Sequence, residues 1–278
     1  LTDKTDHSNG WDGRAAGWED ASQQFERSVQ SLTIKMIEAL APRPGDELLE
    51  LACGPGGTLP ILAETVSPGG RVVAGDRSEG MVEAARRKVA EAGLTTVDVE
   101  QLELDWIDLP TATFSGLFCR FGYMFASDPA AALIEARRVL RPSGRLAIAT
   151  WSPPDENPYG RISIEALAEI GLGDPPATSQ PGMFALTDAA ALREMIFSAG
   201  FLDAEVERVD VQFTFQSFDG LIEWVFNVSQ SVVDALEGSH PRSKEAFAEA
   251  LRGLSLPYTD ESGAILLPGV TLLGTATA

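Results

Sequence analysis

Lysine is scarce in this chain, occurring only at positions 4, 35, 88 and 244, while the formal net charge over 278 residues is −20. So acidic a chain repels phosphate backbones and anionic headgroups. No local basic cluster offsets that, which argues against a nucleic-acid or membrane partner. Cysteine is almost lacking: Cys53 and Cys119 are too few for a disulfide framework and suit a reducing compartment, so a cytoplasmic location is expected. No run approaches the roughly 18 apolar residues of a membrane span, and the polar lead-in Leu1 to Gly10 has no apolar signal segment. Histidine is limited to His7 and His240, and no His, Cys and carboxylate group has metal-ligand spacing, so no metal is expected.

Hydrophobic residues make up 44% of the chain, enough for a sizeable core. Phe25, Val29, Leu32, Met36 and Leu40 recur at helical spacing until Ala41-Pro42-Arg43-Pro44-Gly45, which predicts one amphipathic helix. Strand and helix signals then alternate as in a doubly wound parallel sheet, with strands at Glu47 to Ala52, Arg71 to Gly75, Val97 to Leu102, Gly116 to Arg120 and Arg145 to Trp151. Thr58, Ser78 and Asp128-Pro129 read as helix N-caps, and Glu83 with Arg87 as an i, i+4 pair. Beyond Trp151 come a proline-rich stretch with a helix near Ile162 to Ile170, a loop through Pro175-Pro176 and Pro181-Gly182, a helix from Asp188 to Ala199 and a strand from Ala204 to Phe215. Ser217 to Pro257 reads as two helical segments. Ala264 to Ala278 reads as extended chain broken at Pro268-Gly269, either a hairpin or a bulged strand.

The most informative stretch is Glu47-Leu48-Leu49-Glu50-Leu51-Ala52-Cys53-Gly54-Pro55-Gly56-Gly57-Thr58, where a buried strand runs straight into a glycine-rich turn and a helix. Gly54 and Gly56 let the backbone turn sharply and approach a ligand, and Glu50 sets a carboxylate just before the turn. Further acids follow the next two strands, Asp76 in Gly75-Asp76-Arg77-Ser78 and Asp105 in Leu104-Asp105-Trp106. With Leu140-Arg141-Pro142-Ser143-Gly144-Arg145, these motifs resemble the class I S-adenosylmethionine-dependent methyltransferases, in the small-molecule branch that includes quinone-biosynthesis methyltransferases. The likeness is strong over residues 46–151 and elsewhere rests on element order. Ala52 stands where the family has its first glycine.

The resemblance implies an α/β fold: a doubly wound, mostly parallel, seven-stranded Rossmann-like sheet with helical cap insertions and an antiparallel C-terminal strand. It implies one domain over residues 1–278, with a lid-helix region at 11–45, a cofactor-binding half at 46–151, and the rest, 152–278, carrying insertions at about 152–186 and 217–257. S-adenosylmethionine is the implied cofactor. Glu50, Ala52, Cys53, Gly54, Gly56, Asp76, Arg77 and Asp105 are the cofactor-binding residues it implies, with Glu50 and the backbone after Gly54 at the amino-acid end, Asp76 at the ribose hydroxyls and Asp105 at the adenine amino group. Met81 and Trp106 would wall the adenine, Arg120 would meet the cofactor carboxylate, and Trp18 would cover the site. The residue types suit those tasks, because an ionised carboxylate reads a diol well and a sulfonium with an ammonium favours acidic surroundings.

Methyl transfer is chiefly alignment in a site that excludes water, so no protein nucleophile is needed. His240, and Tyr123 just past the fourth strand, are the candidates to orient or deprotonate an acceptor. Phe121, Phe213 and Trp224, near the expected mouth, point to a small apolar or aromatic methyl acceptor. The oligomeric state is left open. Two other readings are a nicotinamide or flavin oxidoreductase and a non-catalytic protein that keeps the cofactor site for regulation. The third small residue of a dinucleotide fingerprint would fall on Leu59, which argues against the first.

Overall fold

The computed structural model describes residues 11–178 and 181–278; the polar lead-in Leu1 to Gly10, with His7, lies outside them. Seven strands form one sheet: β1 (Glu47–Leu51), β2 (Arg71–Asp76), β3 (Val97–Gln101), β4 (Phe114–Arg120), β5 (Leu140–Trp151), β6 (Leu202–Phe215) and β7 (Ile265–Thr277). Their order is β3-β2-β1-β4-β5-β7-β6, parallel from β3 through β5, with β7 antiparallel to both β5 and β6. This is the expected fold class. The central strands read as apolar runs because helices cover both of their faces, and four of the five β1 residues are buried.

One face carries α1 (Ala15–Ser28) and α2 (Gln30–Leu40), whose Phe25, Leu32 and Met36 join the core together with Leu59 and Leu62 of α3 (Leu59–Thr65). Also buried in this core are Val82 of α4 (Glu79–Glu91), Ile162 of α6 (Pro158–Glu169) and residues of α8 (Phe218–Val228), α9 (Gln230–Glu237) and α10 (Ser243–Ser255). The opposite face is covered by α5 (Pro129–Val139) and α7 (Ala189–Ser198) through Leu133, Val139, Leu192 and Ile196.

Several expectations are corrected. The leading helix is two helices, because Val29 departs from helical geometry at φ −110 and ψ 16. The stretch after Ser217 holds three helices instead of two, broken first at Ser229. Residues 265–277 form one continuous strand: Pro268 pairs with Gln212 beyond the last β5 contact, Trp151 with Thr271, so its missing N–H falls where β7 has one neighbour only. Ser78 and Asp128 cap their helices as expected, Ser78 accepting from Met81 and Asp128 from Ala130 and Ala131. Thr58 does not cap α3, and Arg87 pairs with Glu19 of α1 at 2.7 Å instead of with Glu83.

Helix α1 crosses α8 at Gly17, where a Cβ would run into the Asn227 carbonyl. Gly17→Ala would ordinarily stabilise a helix interior by about 0.5–1 kcal/mol. Here the clash reverses the sign, and a loss of about 1–3 kcal/mol is expected in urea unfolding.

Candidate functional site

The strand order reverses between β1 and β4, and in open α/β sheets a crevice for ligands lies beyond the carboxyl ends of the strands at that point. The turn after β1 is left-handed at Ala52, Gly54 and Gly56, with φ values of 54, 53 and 80. An alanine in this region costs about 1–2 kcal/mol relative to its right-handed conformation, so the glycine that the resemblance implies at position 52 would be the less strained residue. The turn holds Cys53 buried, its Sγ 3.6 Å from the Gly54 carbonyl, and burial pushes its thiol well above the usual range. Cys119, on neighbouring β4, is also a buried free thiol.

Glu50 is 2% exposed. The Thr58 hydroxyl donates to its Oε1, and this explains why Thr58 leaves the helix uncapped. Oε2 is buried with no hydrogen-bond partner. Burial therefore lifts the Glu50 carboxyl to about 8, against the opposing pull of Thr58 and Arg120. An orphaned carboxyl oxygen beside a glycine turn is a socket for a cationic donor, whose charge would lower the pKa again and take Glu50 to its carboxylate.

At the end of β2, Asp76 Oδ2 accepts from the Gly54 N–H at 2.9 Å and Oδ1 from the Ser78 N–H at 3.0 Å. One carboxylate thus joins two loops and retains further acceptor capacity on each oxygen. Burial raises its pKa, opposed by those two N–H groups and by Arg77. Arg77 is half-buried, its Nε without a hydrogen-bond partner. The segment after β3 starts beside this carboxylate, since the Leu102 N–H donates to the Asp76 carbonyl at 3.1 Å. That segment carries half-exposed Asp105 and Trp106, which is 73% exposed, while Met81 is buried at 3%.

Arg120 ends β4 with its side chain 8% exposed, and its guanidinium is already engaged. Nη1 and Nη2 reach the two carboxylate oxygens of Glu26 on α1 at 2.8 and 2.5 Å, and Nη1 also reaches the Thr33 hydroxyl of α2 at 2.5 Å. Glu26 and Thr33 are the partners that sequence reasoning missed. One signal was available: Glu19 and Glu26 stand seven residues apart, a spacing that keeps them on one face of α1, and Asp12 stands seven residues further back, before the turn that precedes the helix. Each binds a different point of the sheet's cofactor half. Asp12 accepts from the Ser78 hydroxyl at 2.5 Å and the Gly80 N–H at 3.2 Å, Glu19 pairs with Arg87, and Glu26 with Arg120.

Trp18 is half-buried on α1, edge-on to Phe25 at 5.2 Å and tilted against Trp11 at 6.3 Å. Phe25 in turn meets Phe121, Phe213 and Trp224, and Trp151 and Tyr159 extend this aromatic cluster. Tyr123 is not part of it. Its ring is 1% exposed in the core on the opposite face of the sheet, its hydroxyl 3.5 Å from the Ala132 carbonyl, and burial raises its pKa far above the usual range. His240 sits exposed on the turn before α10, its Nδ1 accepting from the Arg242 N–H at 3.2 Å. The structure places both catalytic candidates away from the crevice: Tyr123 because the short helical turn at residues 123–125 sends its ring into the core of the other face, His240 because its turn points to solvent.

Residues 48–144 match the sequence family described as a methyltransferase domain. Nocamycin O-methyltransferase of Saccharothrix syringae is 29% identical over 252 residues, covering 87% of this chain and 89% of that protein. The ubiquinone/menaquinone biosynthesis C-methyltransferase UbiE of Hydrogenovibrio crunogenus is 31% identical over 179 residues, covering 61% of this chain and 70% of that one. Three other curated relatives are spanned over only 36% to 58% of their own length. A solved structure from Bacillus halodurans shares the fold, with a TM-score of 0.59 at 21% identity over 89% of this chain and 98% of that chain. The chain belongs to the class I S-adenosylmethionine-dependent methyltransferases and resembles the quinone-biosynthesis enzymes among them. The cofactor of that family is S-adenosylmethionine, and the orphaned Glu50 oxygen, the left-handed glycine turn and the Asp76 carboxylate fit its ammonium, its close approach and its diol.

Two outcomes are expected. A carboxyl whose pKa lies near 8 when folded and 4.5 when unfolded binds an extra proton on folding, so stability is fullest below pH 4.5 and falls as pH rises towards 8. Urea midpoints at pH 5 and pH 8 should differ more for the wild type than for Glu50→Gln; parallel slopes would refute the burial argument. Asp76→Ala leaves the Gly54 and Ser78 N–H groups unpaired and should cost about 1–3 kcal/mol of stability by the same assay. A loss confined to cofactor binding would show that the two loops hold together without Asp76.

Proposed function

We propose that this chain transfers a methyl group from S-adenosylmethionine to an O, C or N centre of a small, apolar or aromatic molecule. The observation that carries the proposal is the Glu50 carboxylate, buried with one oxygen unpartnered beside a left-handed glycine turn at the sheet's reversal point. In this reading Glu50 and the backbone of residues 54–57 receive the amino-acid end and Asp76 accepts from the ribose hydroxyls. Asp105 takes the adenine amino group, and exposed Trp106 closes over the ring. When bound, the cofactor supplies a methyl group on a sulfonium, a good leaving group for in-line displacement. The protein's part is to align the acceptor and keep water out. The aromatic cluster around Phe25, Phe121, Trp151 and Phe213 supports an apolar or flat acceptor, since it flanks the ends of β4, β5 and β6. No side-chain base is needed, and neither Tyr123 nor His240 is retained as one. A cytoplasmic small-molecule enzyme without a nucleic-acid or membrane partner agrees with the acidic composition; among the described residues no helix is long and apolar enough to cross a membrane.

Hydride transfer is disfavoured by Leu59, which is fully buried in the first turn of α3 with Cδ1 against Gly56, where a dinucleotide fold brings helix and strand together on a small residue. Calorimetric titration with S-adenosylhomocysteine, S-adenosylmethionine and NADH tests the reading. Stoichiometric binding of the two sulfur compounds and not of NADH is expected, followed by methylation of hydrophobic members of an acceptor panel. Binding of NADH alone would overturn it. Tight sulfur-cofactor binding with no methylated acceptor would favour a regulatory protein.

A further inference from the structure

The Glu26–Arg120 pair sits where the proposed function places the cofactor's amino-acid head. Four observations converge there. The two side chains meet fork to fork, which is also how a guanidinium takes a free α-carboxylate. The Glu26 carboxylate lies against the glycine loop so closely that Gly57 has no room for a Cβ, so a carboxylate already occupies the cradle the loop makes. Glu50, with its unpartnered Oε2, is electrostatically coupled to both Glu26 and Arg120. Finally, Arg120 has a second anchor independent of Glu26, the Thr33 hydroxyl.

The two anchors of Arg120 stand on different helices. Glu26 belongs to α1 and Thr33 to α2, and the helical geometry is interrupted between them at Val29. Helix α2 lies along the sheet, with Leu32 and Met36 fully buried. Helix α1 is tied to the cofactor half by acids at its edge, and the Glu19–Arg87 bridge among them is about half exposed. Swinging α1 about Val29 would remove Glu26 and leave Arg120 in place on Thr33.

We propose that Glu26 is an internal stand-in for the cofactor's carboxylate: it caps Arg120 when the site is empty, and cofactor entry exchanges one carboxylate for another on the same guanidinium. The exchange keeps Arg120, 8% exposed, from being left unpaired at either stage. It also couples filling of the head-group pocket to release of α1, the helix that carries Trp18 and Phe25 against the aromatic cluster. The inference rests on the proposed function, because it takes the ligand's carboxylate to be that of S-adenosylmethionine.

The test compares S-adenosylhomocysteine with 5′-methylthioadenosine, which has the same nucleoside and no amino-acid head, by calorimetry on wild type, Glu26→Gln and the double variant Glu26→Gln with Arg120→Gln. Removing the competing charge should tighten S-adenosylhomocysteine at least five-fold in Glu26→Gln and leave 5′-methylthioadenosine unchanged within two-fold. The double variant removes both charges of the pair together, so no buried ion is stranded; it should lose that gain and bind S-adenosylhomocysteine at least ten-fold more weakly than Glu26→Gln. Unchanged or weaker S-adenosylhomocysteine binding in Glu26→Gln would make Glu26 a bystander or a partner of the ammonium, and either result overturns the proposal. If neither nucleoside binds the wild type, it is the functional reading itself that falls.

Discussion

A carboxylate at the buried end of a parallel strand is the constraint around which this molecule is arranged. Glu50 lies on β1, the strand flanked by β2 and β4, so helices cover both of its faces and water cannot solvate it. Its neighbours are what such a group requires. Thr58 gives up its place as a helix cap to donate to one oxygen, and Arg120 approaches from the end of β4. The second oxygen remains without a partner. A buried acid left half satisfied is a cost to folding, and its position beside a turn that only small residues tolerate makes that cost intelligible as readiness for a cationic ligand.

The same logic extends to the acids of the N-terminal helix. The chain carries a net charge of −20, and α1 pairs its acids with two arginines, Arg87 of α4 and Arg120 at the end of β4. Asp12 satisfies the amino end of α4 beside Asp76. The helix is therefore fastened along one stripe by contacts of graded burial, from the exposed Glu19 bridge to the nearly enclosed guanidinium of Arg120. Where such bonds are partly open to solvent they are weak individually.

Much of the fold was legible in the chain because its signals are local. Glycine, proline and cap residues punctuate the strands and helices of residues 46–151, and the first four strands start and end within two residues of the expected positions, while β5 begins five residues early, at Leu140, and runs through Arg141-Pro142-Ser143-Gly144. The misreadings were of another kind. Phe25 to Leu40 keep an unbroken apolar period across Val29, so nothing in the pattern marks the break between α1 and α2. Pro268-Gly269 reads as a stop until the partner strand shows that one edge of β7 is unpaired there. Tyr123 lies one turn past β4, and a short helical turn at residues 123–125 decides which face of the sheet its ring enters.

By itself, the sequence determined the class of fold, the glycine turn and the acids that end the first two strands, since each depends on backbone conformation and periodicity within a few residues. Which side chains meet was decided by tertiary structure alone. Arg120 and Glu26 are 94 positions apart, and Asp12 and Ser78 are 66 apart. The charge state of Glu50 likewise follows from burial by elements that the sequence does not place next to it. Contacts and solvation are properties of the packed chain, and that is why the binding loop could be read in advance while the carboxylate lying in it could not.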